Sequence, residues 1–209
     1  MTPTRTLTAH CTLSQDGLPL LTIDNEHARA EISLFGAHVL RYQRHGEPAS
    51  LWLSDKAILD GSKPIRGGIP LCWPWFGPSP ARVGSGKPAH GFARNCLWTL
   101  DGVSDHGDGT LVHLSLRDND ASRTLWPHAF ELELDVLVGK ELSLVLTTRN
   151  TGKSALTYNA ALHTYLQISA PEAVTVTGLG EPYLDKLTGR NELQQGALTV
   201  TAAMDRIYR

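Results

Sequence analysis

Cysteine is scarce in this 209-residue chain: three thiols, Cys11, Cys72 and Cys96, form an odd count with no Cys-x-x-Cys spacing. That excludes a disulfide framework or a zinc ribbon as the basis of the fold, and a reducing cytoplasm is the simpler home for such a chain. Cys72 and Cys96 lie beside apolar residues and read as small buried hydrophobes rather than reactive thiols. An excess of charge is also missing. With 19 Lys and Arg against 21 Asp and Glu the net charge is −2, which leaves no broad basic field for nucleic acid and no polybasic segment for an anionic membrane. No apolar run reaches membrane-spanning length, and Met1-Thr2-Pro3-Thr4-Arg5 is polar where a secretory leader has a charged tip and an apolar stretch. The expectation is a soluble cytoplasmic protein that binds neither nucleic acid nor membrane, and any recognition of anions must be local.

A sustained helical period is absent as well, apart from residues 120–126, which fit one short helix stopped ahead of Pro127. What recurs is alternation. Residues 28–34, 111–116, 130–138, 142–148 and 174–177 place apolar and polar side chains in turn, the period of a strand buried on one face. Gly139-Lys140 and Gly107-Asp108-Gly109 supply hairpin turns between such runs. Many short strands without intervening helices predict an all-β, antiparallel sandwich. No linker, internal repeat or low-complexity tract interrupts residues 1–209, which read as a single domain.

One stretch fits neither pattern: residues 66–78, Arg-Gly-Gly-Ile-Pro-Leu-Cys-Trp-Pro-Trp-Phe-Gly-Pro, followed by residues 88–94, Pro-Ala-His-Gly-Phe-Ala-Arg. Proline lacks a donor and glycine reaches conformations other residues avoid, so this backbone is shaped for something other than regular pairing. Indoles beside guanidinium groups suit a sugar carrying an anionic substituent, since aromatic faces pack on a sugar ring and arginine offers paired donors to a phosphate. Of nine histidines, His10, His27, His45, His106 and His128 sit in polar or turn-like contexts. His90, inside the irregular stretch, and His163, in an otherwise apolar strand, stand apart. A lone histidine in such a strand is either a satisfied core residue or a catalyst, and the residues alone leave both open.

Taken together, Arg66-Gly67-Gly68-Ile69-Pro70, Trp73-Pro74-Trp75-Phe76-Gly77, His90-Gly91-Phe92-Ala93-Arg94 and Leu162-His163-Thr164-Tyr165 resemble the aldose 1-epimerase superfamily, and most closely its hexose-6-phosphate mutarotase branch, the glucose-6-phosphate 1-epimerases. Phe35-Gly36-Ala37-His38-Val39-Leu40, Leu51-Trp52-Leu53-Ser54, Gly178-Leu179 and Tyr183-Leu184-Asp185-Lys186 extend the likeness over nearly the whole chain, in the expected order. The resemblance implies a β-supersandwich of the galactose mutarotase-like type and interconversion of the α and β anomers of a hexose 6-phosphate, with no metal and no organic cofactor. Under it His163 matches the general acid that protonates the ring oxygen, and His90 the histidine that hydrogen-bonds the sugar or its developing negative charge. Arg66 and Arg94 match the arginines that bracket the phosphate, and Asp205 the aspartate that contacts sugar hydroxyls. Trp73, Trp75 and Phe76 are candidates for a sugar platform.

Two departures accompany the likeness. Ala89 stands where the family carries a glutamine. The family's general base, a glutamate on a strand beyond the Asp-Arg-Ile-Tyr region, has no match: Glu131 and Glu133 alternate along a hairpin strand facing solvent, and Glu172, Glu181 and Glu192 occupy polar, turn-like contexts. The expectation is therefore a chain that lacks the sandwich's C-terminal strands, with an unpaired sheet edge open to self-association. A non-catalytic sugar-phosphate-binding sandwich is the alternative to the epimerase. A cupin-like metal site is the weaker reading, since neither His90 nor His163 has a closely spaced ligand partner.

Overall fold

The computed structural model describes residues 4–180 and 182–208, so Glu181 lies outside the described residues. The chain divides into two compact units, Met1–Leu166 and Gln167–Arg209.

In the first unit five strands form an antiparallel meander: β1 (Arg5–Thr6), β2 (Cys11–Ser14), β3 (Leu20–Asp24), β4 (Ala28–Ser33) and β5 (His38–Arg44). The two-residue strand β6 (Leu71–Cys72) follows, and then β7 (Thr99–His106), β8 (Gly109–Arg117), β9 (Phe130–Gly139) and β10 (Leu142–Asn150) build a second antiparallel sheet in the order β10-β9-β8-β7. Alternation in the sequence becomes the two sides of each sheet. Along β9, Phe130, Leu132, Leu134, Val136 and Val138 are buried, while Glu131 and Glu133 take the other face and pair with Arg117 and Arg149. Leu21, Ile23, Ala30 and Ile32 of the first sheet join them in one hydrophobic core, where full burial of a Leu, Ile, Val or Phe side chain contributes about 1.5–3 kcal/mol. Both hairpin turns form where the glycines place them. The short helix α1 (Asp120–Leu125) begins at Asn119, whose side chain accepts from the Ser122 amide at 2.9 Å while the Ser122 hydroxyl accepts from the Asn119 amide at 2.9 Å. The strand β11 (Ala161–Leu162) pairs with β6.

The second unit is built from very short strands. β12 (Thr175–Val176) pairs with β15 (Leu198–Thr199), and β13 (Tyr183–Asp185) lies between β14 (Arg190–Glu192) and β16 (Arg206–Tyr208). Its buried centre is Tyr183, with the Arg206 guanidinium 4.5 Å from the ring centroid and the Tyr183 hydroxyl donating to Glu192 at 2.9 Å.

All three cysteines are free; Cys11 and Cys72 are buried and Cys96 partly so. Burial raises each thiol above its ordinary range, Cys11 to about 11, which makes them structural and unreactive. Among the described residues no helix is long and apolar enough to cross a membrane.

Candidate active site

The irregular stretch forms a strap laid between β5 and the segment that carries His163. The Ile69 amide donates to Val39 at 2.8 Å, the Gly68 amide to Trp52 at 2.7 Å and the Ser54 amide to Arg66 at 3.1 Å. From the other side the His163 amide donates to Pro70 at 3.0 Å and the Tyr165 amide to Gly68 at 2.9 Å. The Gly-Gly pair is a steric requirement of this crossing. A Cβ at Gly68, where φ is +61°, would fall 2.3 Å from the Val39 carbonyl oxygen, and one at Gly67 2.5 Å from the Leu53 Cα.

Beyond β6 the chain meets the loop of His90. The Trp73 carbonyl accepts from the Phe92 and Ala93 amides at 3.0 and 3.2 Å, and the approach is so close that a Cβ on Gly91 would lie 2.0 Å from it. His90 itself takes a positive φ of 63°. Its amide donates to the Gly77 carbonyl at 2.7 Å, and its Nδ1 accepts from the Gly77 amide at 3.2 Å. An imidazole whose Nδ1 accepts carries its proton on Nε2, so His90 is set up as a hydrogen-bond donor.

These two loops bring the side chains together. The rings of His90 and His163 meet edge to face with centroids 5.9 Å apart, and Phe76 lies 4.8 Å from His90 and 6.0 Å from His163. Tyr165 continues the wall 5.0 Å from His163, and Trp52 lies 5.8 Å beyond it. The Phe76 amide donates to Asn159 Oδ1 at 2.7 Å, which fixes the aromatic turn against the chain leading into β11. Arg94 is tied to the His90 loop, because its Nη2 donates to the Ala89 carbonyl at 2.9 Å, and its buried Nε has no partner among the described residues. Arg66 is exposed, and only its backbone is held by the strap. Asp205 belongs to the second unit, where its carboxylate pairs with Lys186 Nζ at 2.5 Å.

The expectation of a sugar platform is corrected for two of its three residues. Trp73 is 0 % exposed and Trp75 1 %, so neither indole presents a face to a ligand. Trp73 is packed among Phe92, Trp126, Phe130 and Tyr158, and the Trp75 indole N–H donates to the Pro88 carbonyl at 2.9 Å. Both are core residues, because the chain leaving β6 turns its indoles toward the sandwich interior. Phe76, 43 % exposed, keeps the platform role open.

Sequence reasoning passed over His38, Trp52 and Tyr165 as site residues, although all three lie within the stretches that carry the family likeness. His38 is buried, and its Nε2 lies 2.7 Å from the Gly67 carbonyl. Burial, with a contribution from the Arg94 charge, lowers its pKa from 6.5 to about 4 against the opposing pull of the Gly67 hydrogen bond. The unfolded chain then binds a proton at this position between pH 6.5 and about 4 that the folded chain does not. Stability is therefore expected to fall as pH drops through that window, by a total on the order of 3 kcal/mol, and to level off below it. Denaturant midpoints across pH 4–7 check this, since a His38→Gln variant should lose that portion of the slope.

Residues 19–208 match the family described as Aldose 1-epimerase. The chain belongs to the aldose 1-epimerase family. It is 36% identical over 195 residues to an Escherichia coli (strain K12) protein named "Putative glucose-6-phosphate 1-epimerase", covering 92% of this chain and 64% of that protein. The chain thus spans a little under two thirds of the length of that curated relative. A crystal structure of a "putative mutarotase (YeaD)" from Salmonella typhimurium superimposes with a TM-score of 0.91 at 33% identity, covering 99% of this chain and 69% of the other. The galactose 1-epimerase of Lactobacillus acidophilus NCFM, at 18% identity, shares the fold with a TM-score of 0.63 over 94% of this chain and 64% of its own. The architecture of this aldose 1-epimerase family member is accordingly the all-β, antiparallel sandwich of the galactose mutarotase type.

Proposed function

We propose that this chain acts in the interconversion of the α and β anomers of a hexose 6-phosphate. The observation that carries the reading is the edge-to-face meeting of His90 and His163, 5.9 Å apart, against the exposed ring of Phe76. Ring opening breaks the bond between the anomeric carbon and the ring oxygen and makes the anomeric carbonyl, so one proton must reach the ring oxygen while another leaves the anomeric hydroxyl. In this reading His163 delivers the first proton and takes it back on reclosure, after rotation of the carbonyl has exchanged the faces. His90 donates from Nε2 to the sugar oxygen that gains charge. Phe76 receives an apolar face of the ring. Arg94 and Arg66 bracket the phosphate, Arg94 with one donor already spent on Ala89, its Nε buried, and its other Nη donors left for an anion. Binding of a sugar phosphate without catalysis is the second reading, in which the same aromatic and arginine surface holds the ligand. The relative's printed name supports a 6-phosphate, and the buried or half-buried free thiols support a reducing, cytoplasmic setting.

Exchange spectroscopy on glucose 6-phosphate, paired with calorimetry, tests both readings: faster exchange supports the epimerase, while binding without faster exchange leaves the sugar-phosphate module. Arg66→Ala and Arg94→Ala are each expected to weaken binding of glucose 6-phosphate by about 10- to 100-fold, the weight of charge-assisted hydrogen bonds to phosphate, with far less effect on glucose. Equal losses on the two sugars would remove the phosphate assignment.

A further inference from the structure

We infer that His38 is the positioning residue of the arginine pair, its ring joining the segment that carries Arg66 to the segment that carries Arg94 and so fixing how the two guanidiniums meet a phosphate. The inference rests on the proposed reading of Arg66 and Arg94 as phosphate ligands. His38 opens β5 directly after a tight turn in which Gly36 and Ala37 have φ of +82° and +47°. That turn bears on the Arg94 segment. The Gly36 amide donates to the Cys96 carbonyl at 2.7 Å, the Trp98 amide donates to Leu34 at 2.8 Å, and a Cβ on Gly36 would lie 2.7 Å from the Arg94 carbonyl oxygen. On the opposite side the His38 Nε2 meets the carbonyl of Gly67, the residue that follows Arg66, at 2.7 Å. A Cβ on Gly68 would lie only 3.0 Å from that same nitrogen.

One ring therefore touches the strap of one arginine and stands on the turn packed against the other. A carbonyl only accepts, so Nε2 must hold the proton. Burial disfavours a second proton, so near neutral pH the ring is uncharged and adds no positive charge beside Arg94. The histidine adds a side-chain contact to the strap's backbone hydrogen bonds, at a point where the two glycines have no side chains of their own and Arg66 is exposed. An apolar residue at position 38 would fill the space and leave the buried Gly67 carbonyl without this donor. The strap would keep its backbone hydrogen bonds to Trp52, Ser54 and Val39 but lose the side-chain contact at Gly67 that sets its position next to Arg66.

Calorimetry with glucose 6-phosphate and with glucose tests the assignment. His38→Leu is expected to reduce affinity for glucose 6-phosphate about tenfold while holding that for glucose within about twofold, as loss of one positioned charge-assisted contact would do. His38→Gln, whose Nε2 can reach the same carbonyl, is expected to restore most of the difference. A purely structural histidine would lower the melting temperature of His38→Leu and leave the affinity ratio of the folded protein unchanged, and that result overturns the inference. Should His38→Leu fail to fold, His38→Asn, whose amide is too short for Gly67, is measured in its place against the same expectation. Arg66→Ala is the reference. If it leaves the ratio unchanged, the phosphate reading itself has failed and this inference falls with it; if it lowers the ratio and the His38 variants do not, only the role of His38 is overturned.

Discussion

In a His163→Ala variant, exchange between the anomers of glucose 6-phosphate is expected to slow by about 10²–10⁴-fold relative to the unmodified chain, with little change in affinity. The size follows from what is removed. In the proposed reading the imidazole carries the proton to the ring oxygen, and the ring sits where the His90 loop and the strap converge, against His90, Phe76 and Tyr165. The backbone of residue 163 is held independently by the Pro70 carbonyl, so the substitution takes away the proposed acid and leaves the frame. Exchange measured by two-dimensional NMR, with binding followed separately, distinguishes the two effects. Exchange as fast as that of the unmodified chain excludes His163 as the acid, and a loss of affinity with unchanged exchange at saturation recasts it as a binding residue.

The second large effect concerns stability. Trp73→Ala is expected to cost about 3–5 kcal/mol, a fall of roughly 6–20 °C in Tm for a protein of this size. Trp73 has no exposed surface and anchors an aromatic cluster, with Phe130 at 4.6 Å, Trp126 at 5.1 Å and Phe92 at 5.7 Å between ring centroids. Collapse around the gap is resisted by rings that already pack on one another. Its buried indole nitrogen has no hydrogen-bond partner among the described residues, so Trp73→Phe gives up an unpaired donor and should cost far less than Trp73→Ala. Phe76→Ala, at an exposed ring, is expected to show the opposite pattern: a small change in Tm and a loss of sugar affinity. A Trp73→Ala protein as stable as its parent but deficient in sugar binding would restore the indole to the ligand's side.

Legibility in the sequence followed local periodicity. Residues 28–34, 111–116 and 130–148 alternate so regularly that their strands, their faces and the turn at Gly139-Lys140 could be read directly, and Pro127 marked the end of α1. The Trp-Pro-Trp-Phe run has no period, so nothing local told which rings turn inward. Burial there is decided by where β6 runs beside β11 and by a carbonyl of Trp73 that must receive two amides from the His90 loop. His38 was hidden for a related reason. It opens β5 with Val39 and Leu40, all three buried, and its ring finds its polar partner on the crossing strap, distant in sequence. The division after Leu166 carries no mark in composition, and strands of two or three residues in the second unit are too short to show alternation. His90 and His163, by contrast, were singled out by their settings, and the structure places their rings in contact.

The central claim is that one hexose phosphate engages both histidines at once. Following the imidazole Cε1–H resonances of His90 and His163, assigned with single His→Gln variants, during titration with glucose 6-phosphate measures this most directly. Both signals are predicted to move with a common midpoint, and to saturate at lower concentration with the phosphorylated sugar than with glucose. Signals that stay still, or that titrate with separate midpoints, would contradict a single site.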